Sequence, residues 1–159
     1  MIDDLILVAT LLAALGCAVV AGFFFAFSVC VMKSLARLPT QQGIAAMNHI
    51  NVVVINPWFM GAFFGSALMC SLLAVSTLSR DTPGATWIVL AAVLYLAGTI
   101  GVTMAFNVPR NNALAKLDPD SPEGGRQWAE YLVGWTRWNH VRTIAALAAA
   151  ALLVFVLTV

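Results

Sequence analysis

Four stretches of this chain, Leu5 to Met32, Trp58 to Leu78, Trp87 to Phe106 and Thr143 to Val159, contain no Asp, Glu, Lys, Arg or His. Each is near the ~20 residues that a helix rising 1.5 Å per residue needs to cross ~30 Å of hydrocarbon. Without water, only helices and closed barrels satisfy every backbone N–H and C=O, and barrel strands alternate polar with apolar residues. These stretches do not alternate; they are apolar on every face and rich in Ala and Leu, so they read as helices. The remaining composition agrees, with 62% hydrophobic and 9% charged residues against roughly 45–50% and 25% in soluble domains. The expected fold is therefore all-α. It is an integral membrane four-helix bundle, one domain over residues 1–159, with spans at about 5–32, 58–78, 87–106 and 140–159.

The first stretch follows Asp3 and Asp4, not a basic segment, and is too long for a signal-peptide core, so it is expected to stay as a mature span. Cys17, Cys30 and Cys70 lie inside spans without CxxC or Cys/His spacing and read as small apolar fillers. Seven of the eight Lys and Arg residues, Lys33, Arg37, Arg110, Lys116, Arg126, Arg137 and Arg142, belong to the first and third connections; only Arg80 lies opposite. Cationic flanks are retained in the cytoplasm, so both termini and the Ser79–Thr86 turn are expected outside, with the long connections inside the cell. A net charge of +1 gives no reason to expect nucleic-acid binding. Lipid headgroups and topology suffice for these cations.

Small residues recur at intervals of four. Ala14, Ala18, Gly22 and Ala26 mark the first span, Gly61 and Gly65 the second, Gly101 and Ala105 the third, Ala145 and Ala149 the fourth. Such stripes let helix backbones approach, either within the bundle or in a homo-oligomer.

In the first connection, Pro39-Thr40 opens a helix on which Ile44, Met47, Asn51 and Ile55 share one face. It is too polar to span, so it is expected at the membrane surface or re-entrant over the bundle mouth. Asn56-Pro57-Trp58 supplies a cap, a first-turn proline and an interfacial aromatic for the second span. The third span is expected to end at Asn107-Val108-Pro109. After the turn at residues 118–125, a helix should begin near Pro122 and, with no proline or glycine after Gly134, run into the fourth span as a helical extension.

That last helix carries Trp128, Tyr131, Trp135, Trp138, Asn139 and Arg142 within a stripe about 100° wide, while His140 points elsewhere. One use of the stripe is an aromatic belt with Arg142 snorkelling to phosphate; the other is an aromatic-walled pocket. His49 and His140, the only histidines, each follow an asparagine. Both are expected on the same side, where they could ligate haem iron or another metal ion or accept a proton at neutral pH. Asn51, Asn56, Asn107, Asn111, Asn112 and Asn139 gather at the same interface, as caps and turn residues or as donors to a ligand oxygen.

Together the segments Gly-Phe-Phe-Phe-Ala-Phe-Ser (22–28), Arg-Leu-Pro (37–39), Gly-Ile-Ala-Ala-Met-Asn-His-Ile-Asn (43–51), Asn-Pro-Trp-Phe-Met (56–60), Asn-Val-Pro-Arg-Asn (107–111) and Trp-Thr-Arg-Trp-Asn-His-Val-Arg (135–142) resemble the anthrone oxygenase-like family of small four-span membrane proteins. The resemblance implies a membrane oxidoreductase, a monooxygenase that converts an anthrone-type or other lipophilic phenolic aromatic with dioxygen and requires no flavin, haem or metal. It also implies residence in a cell membrane, the inner membrane of a bacterium. Within that resemblance His140 would be the base, with His49 second. Asn51, Asn107, Asn139 and Arg142 would hold the developing oxyanion, Trp135 and Trp138 would stack the rings, and Asn111 would also bind substrate. An intramembrane site also suits a quinol-like molecule drawn from the bilayer. Two other classes stand beside this one: a haem- or metal-binding membrane protein using His49 and His140, and a transporter or helper subunit, for which the spans offer no ionisable residue.

Overall fold

A computed structural model describes residues 2–77 and 84–158. Arg80 and most of the Ser79–Thr86 turn, on which the outward assignment of that side rests, lie outside the described residues. The expected span ends Leu78 and Val159 do too.

The described chain is helical. Helix α1 comprises Ile2–Ala26, a wide π-type turn at Phe27–Val31, and Met32–Leu35. Helix α2 is Thr40–Val53, α3 is Pro57–Thr77, α4 runs over Ala85–Leu114 and α5 over Pro122–Val156. Four of these, all but α2, are long and apolar enough to cross a membrane. Two cap signals hold in detail. Asn56 Oδ1 accepts from the Trp58 and Phe59 amides at 3.1 Å each, and Ser121 Oγ accepts from the Gly124 amide at 3.0 Å. Both satisfy donors that a helix start leaves free, with proline occupying the first turn. Replacing Asn56 by alanine should cost about 1 kcal/mol, read as a lower unfolding midpoint of the detergent-solubilised protein.

The third helix does not stop at Pro109. From Leu94 to Gly101 and from Thr103 to Asn107, α4 is wound as π-helix, and Pro109 sits at the start of the α-helical turns that follow, Val108–Leu114. A proline breaks a helix by removing one N–H and crowding the carbonyl four residues back. Here it falls where the winding has already changed, and Arg110 Nη1 supplies a donor to the Phe106 carbonyl at 2.8 Å. Helix α2 takes the second of its two expected placements. It folds back over the bundle mouth, burying Ile44 and Met47 in a cluster with Leu35, Leu114, Trp128, Tyr131 and Trp135.

The small-residue stripes are redistributed. Ala14, Ala145 and Ala149 are buried as expected, but Ala18, Gly22, Ala26, Gly61, Gly101 and Ala105 face outward. The contacts use Ala13, Cys17 and Ala21 on α1, Gly16 against Ser66, and Gly98 against Ala145. In a segment this rich in Ala and Gly, a spacing of four can be found on more than one face. Cys17 and Cys70 fill the core as expected, their sulfurs 3.8 Å apart, whereas Cys30 is exposed.

Candidate functional site

At the mouth of the bundle a cavity of about 230 Å³ separates α3 from the second half of α4, roofed by α2. Its wall is aromatic where α1 and α3 meet. Phe23 and Phe59 are 4.4 Å apart between ring centroids, Phe59 and Phe63 are stacked at 5.8 Å, and Phe24 meets Phe63 edge-on. Trp135 closes the far side, 5.6 Å from Phe27. Phe64, Met104 and Ile55 also line the cavity and are largely exposed on the outer surface.

Arg142 reaches into this space from α5. It does not snorkel: the residue is 5% exposed, and its guanidinium carbon lies 3.9 Å from the Phe24 centroid and 4.8 Å from that of Trp135. Those ring faces attract a cation but do not neutralise it. Nε donates to Asn139 Oδ1 at 2.9 Å and Nη1 to Thr103 Oγ1 at 3.3 Å; no described side chain takes Nη2, and both partners are neutral. Asn139, fully buried, is held in turn by donating through Nδ2 to the Phe24 carbonyl and to Ser28 Oγ, both at 2.7 Å. The arginine is thus fixed through three helices, α1, α4 and α5.

Asn111 is oriented just as firmly. Its Oδ1 accepts from the Tyr131 hydroxyl at 2.9 Å and from Trp135 Nε1 at 2.8 Å, which fixes the amide and leaves Nδ2 uncommitted at the cavity wall. Asn51, on the roof, lies near Tyr131, yet its buried Nδ2 has no partner in hydrogen-bonding geometry. Arg142, Asn111 and Asn51 all line the cavity; Arg142 and Asn111 each have an N–H group to spare there, whereas Asn51 Nδ2 is sealed beneath the wall beside Tyr131. Such a set of donors stabilises negative charge on oxygen.

Four of the residues expected to bind substrate, Asn51, Asn111, Trp135 and Arg142, are therefore brought together. Asn139 and Asn107 stand behind them. Asn107 is fully buried and donates to the Trp135 carbonyl at 3.2 Å, so it braces the tryptophan instead of capping a helix. Trp138 is not part of the wall; it stacks on Phe106 at 3.6 Å. The pocket expected around the two imidazoles is not formed. His49 is exposed, with Nδ1 against the Ala45 carbonyl at 2.8 Å. His140, also exposed, lines a separate shallow groove with Lys33 and Arg137. The physical reason is the 100° step of the helix: burying Asn139 turns His140 outward. Among the described residues no group of three or more His, Cys, Asp or Glu side chains is placed to hold a metal ion.

Sequence reasoning missed Phe23, Phe24, Phe59, Phe63 and Thr103 as wall residues. Four phenylalanines within residues 22–28 were a signal, since over about two helical turns they put rings on more than one face of the helix.

Comparison with known proteins finds no match among curated proteins or solved structures. The chain does match the anthrone oxygenase family over residues 58–152, a stretch that holds α3, α4 and most of α5, and with them Thr103, Asn111, Trp135 and Arg142. That match spans more than half of the sequence, and the chain belongs to the anthrone oxygenase family.

Proposed function

We propose that the cavity binds a flat, lipophilic, oxygen-bearing aromatic taken from the bilayer, and that the protein oxidises it with dioxygen. The supporting observation is the pairing of an aromatic wall with an uncompensated buried guanidinium and the spare amide donor of Asn111. The wall suits ring faces. The donors suit a ring oxygen that gains charge as the reaction proceeds. Family membership suggests an anthrone as the substrate class.

The chemistry balances with these two reactants alone. Loss of a proton from the doubly benzylic carbon of an anthrone leaves an electron-rich anion whose charge rests largely on the carbonyl oxygen. That anion reduces dioxygen by one electron, the radical and superoxide combine at the same carbon as a peroxide anion, this takes a proton back to become the hydroperoxide, and loss of water gives the anthraquinone. One anthrone and one dioxygen yield one quinone and one water. In this reading Arg142 and Asn111 stabilise the anion, Asn51 stands beside Tyr131 on the roof, and the phenylalanines and Trp135 hold the rings in place. The substrate's own π system passes the electron to dioxygen.

An oxygen electrode tests this with purified protein in nanodiscs and anthrone as substrate. Uptake should match quinone formation one to one, and Ile50→Trp, which fills the cavity from the roof, should return it to the uncatalysed rate. Undiminished uptake in that variant would remove the cavity from the reaction.

A further inference from the structure

The proposed chemistry needs a proton to leave the substrate, yet the cavity wall offers nothing to take it. Among the described residues that line it there is no His, Asp, Glu, Lys, Cys or Tyr. Its polar members are Asn51, Asn111, Thr103, Arg142 and the indole of Trp135. An amide is no base at neutral pH, the Trp135 N–H is already given to Asn111, and Thr103 gives its own proton to the Thr99 carbonyl at 2.7 Å.

The surroundings of Arg142 are as bare of negative charge. Helix α1 presents Phe24 and Ser28 to it and its Asn139 partner, and α4 presents Thr99 and Thr103. Helices α2 and α3 bring to the cavity Asn51 and apolar side chains. The titratable group that bears on it is Tyr131 on its own helix, whose hydroxyl hydrogen is held by Asn111. A buried cation without an anion is costly, and a charge inside a membrane domain marks a site for a partner.

We infer that the cavity acts as an ionising site without a protein base: Arg142 and the Asn111 amide bind the ligand as its conjugate anion, and its proton goes to water. This rests on the reading of the cavity given above and names the ligand class more narrowly, as weakly acidic lipophilic aromatics such as phenols and enolisable ketones. For a phenol, the O–H bond breaks, the electron pair stays on oxygen opposite the guanidinium, and water carries the proton to buffer. For an anthrone, the C–H bond breaks and its electron pair is delocalised onto the ketone oxygen. No oxidant takes part in this step. The histidines have no part in it either.

The experiment uses 2-hydroxyanthraquinone, a flat phenol that is already at the quinone oxidation level and changes colour on ionising. It is titrated with the full-length protein in detergent and in the same micelles without protein. Bound probe should ionise at a pH at least one unit lower than in empty micelles, a tenfold change in its acid dissociation. Arg142→Gln should abolish the shift and Arg142→Lys, which keeps a cation, should retain most of it. His49→Gln and His140→Gln should leave it unchanged. Probe that binds with an unshifted midpoint overturns this inference and leaves the cavity reading standing. So does a shift that survives Arg142→Gln, or one that disappears in His140→Gln. Probe that does not bind at all overturns the cavity reading itself, and this inference with it.

Discussion

Arg142→Met is expected to lower kcat/KM for anthrone oxidation by at least ~10²-fold, the usual effect of removing one oxyanion donor, while leaving thermal stability nearly unchanged. The two halves of this result have separate causes. Methionine is close to arginine in length and fills the same space between Phe24 and Trp135. It also removes a buried charge that no carboxylate compensates. Replacing buried ionic groups by apolar ones of similar shape is often neutral or stabilising. Against this gain stands Asn139 Oδ1, which loses its donor at about 1–3 kcal/mol. The Thr103 hydroxyl still donates to Thr99. Steady-state oxygen uptake and a melting curve on the same preparation check both parts. A structural arginine would behave in the opposite way, with stability falling steeply and turnover following only as the protein unfolds. The transporter reading had been weakened by the absence of ionisable residues from the spans; Arg142, placed inside the bundle, is such a residue, and the neutral side chains around it favour a bound anion over a relay.

What the sequence revealed and what it hid both follow from the solvent. Charge-free length identified the four crossing helices because hydrocarbon tolerates no unpaired polar backbone. The starts at Pro57 and Pro122 were legible because Asn56 and Ser121 answer a local need, the free amides of a first turn. Inside the spans the signals fade. In water a helix shows its buried face by hydrophobic period; in lipid both faces are apolar, so nothing in the sequence separates Ala18 and Gly22, which face outward, from Cys17 and Ala21, which pack. The continuation of α4 past Pro109 depends on π-type winding through Leu94–Gly101 and Thr103–Asn107, which has no simple residue signature. The candidate site was half legible for the same reason. Polar residues stand out against an apolar background, so Asn51, Asn111, Asn139 and Arg142 could be picked by type. Neighbours in sequence such as Asn139 and His140 cannot share a face of a helix, and type alone gives His140 too much weight.

Asn139→Leu is expected to be the most damaging single change at this site, destabilising the protein by several kcal/mol. Asn139 is fully buried, and its amide serves three groups on two helices: the Phe24 carbonyl and Ser28 Oγ of α1, and Arg142 Nε of α5. Leucine has nearly the same size but offers no hydrogen bond. It therefore leaves a carbonyl, a hydroxyl and a charged donor without this partner in a place that water does not reach, each at about 1–3 kcal/mol and more for the charged one. The Phe24 carbonyl lies just ahead of the wide turn at Phe27–Val31, so the α1–α5 contact that frames the cavity should loosen as well. Asn139→Asp separates position from charge. It keeps an acceptor for Arg142 Nε but supplies the counter-ion that the site otherwise lacks. If the ligand provides the missing negative charge, Asn139→Asp should fold better than Asn139→Leu and yet bind an anionic aromatic at least tenfold more weakly than the parent protein, because the guanidinium is already paired. Melting curves and a binding titration of the three proteins measure this. Parent-like affinity in the aspartate variant would show that Arg142 does not recognise charge.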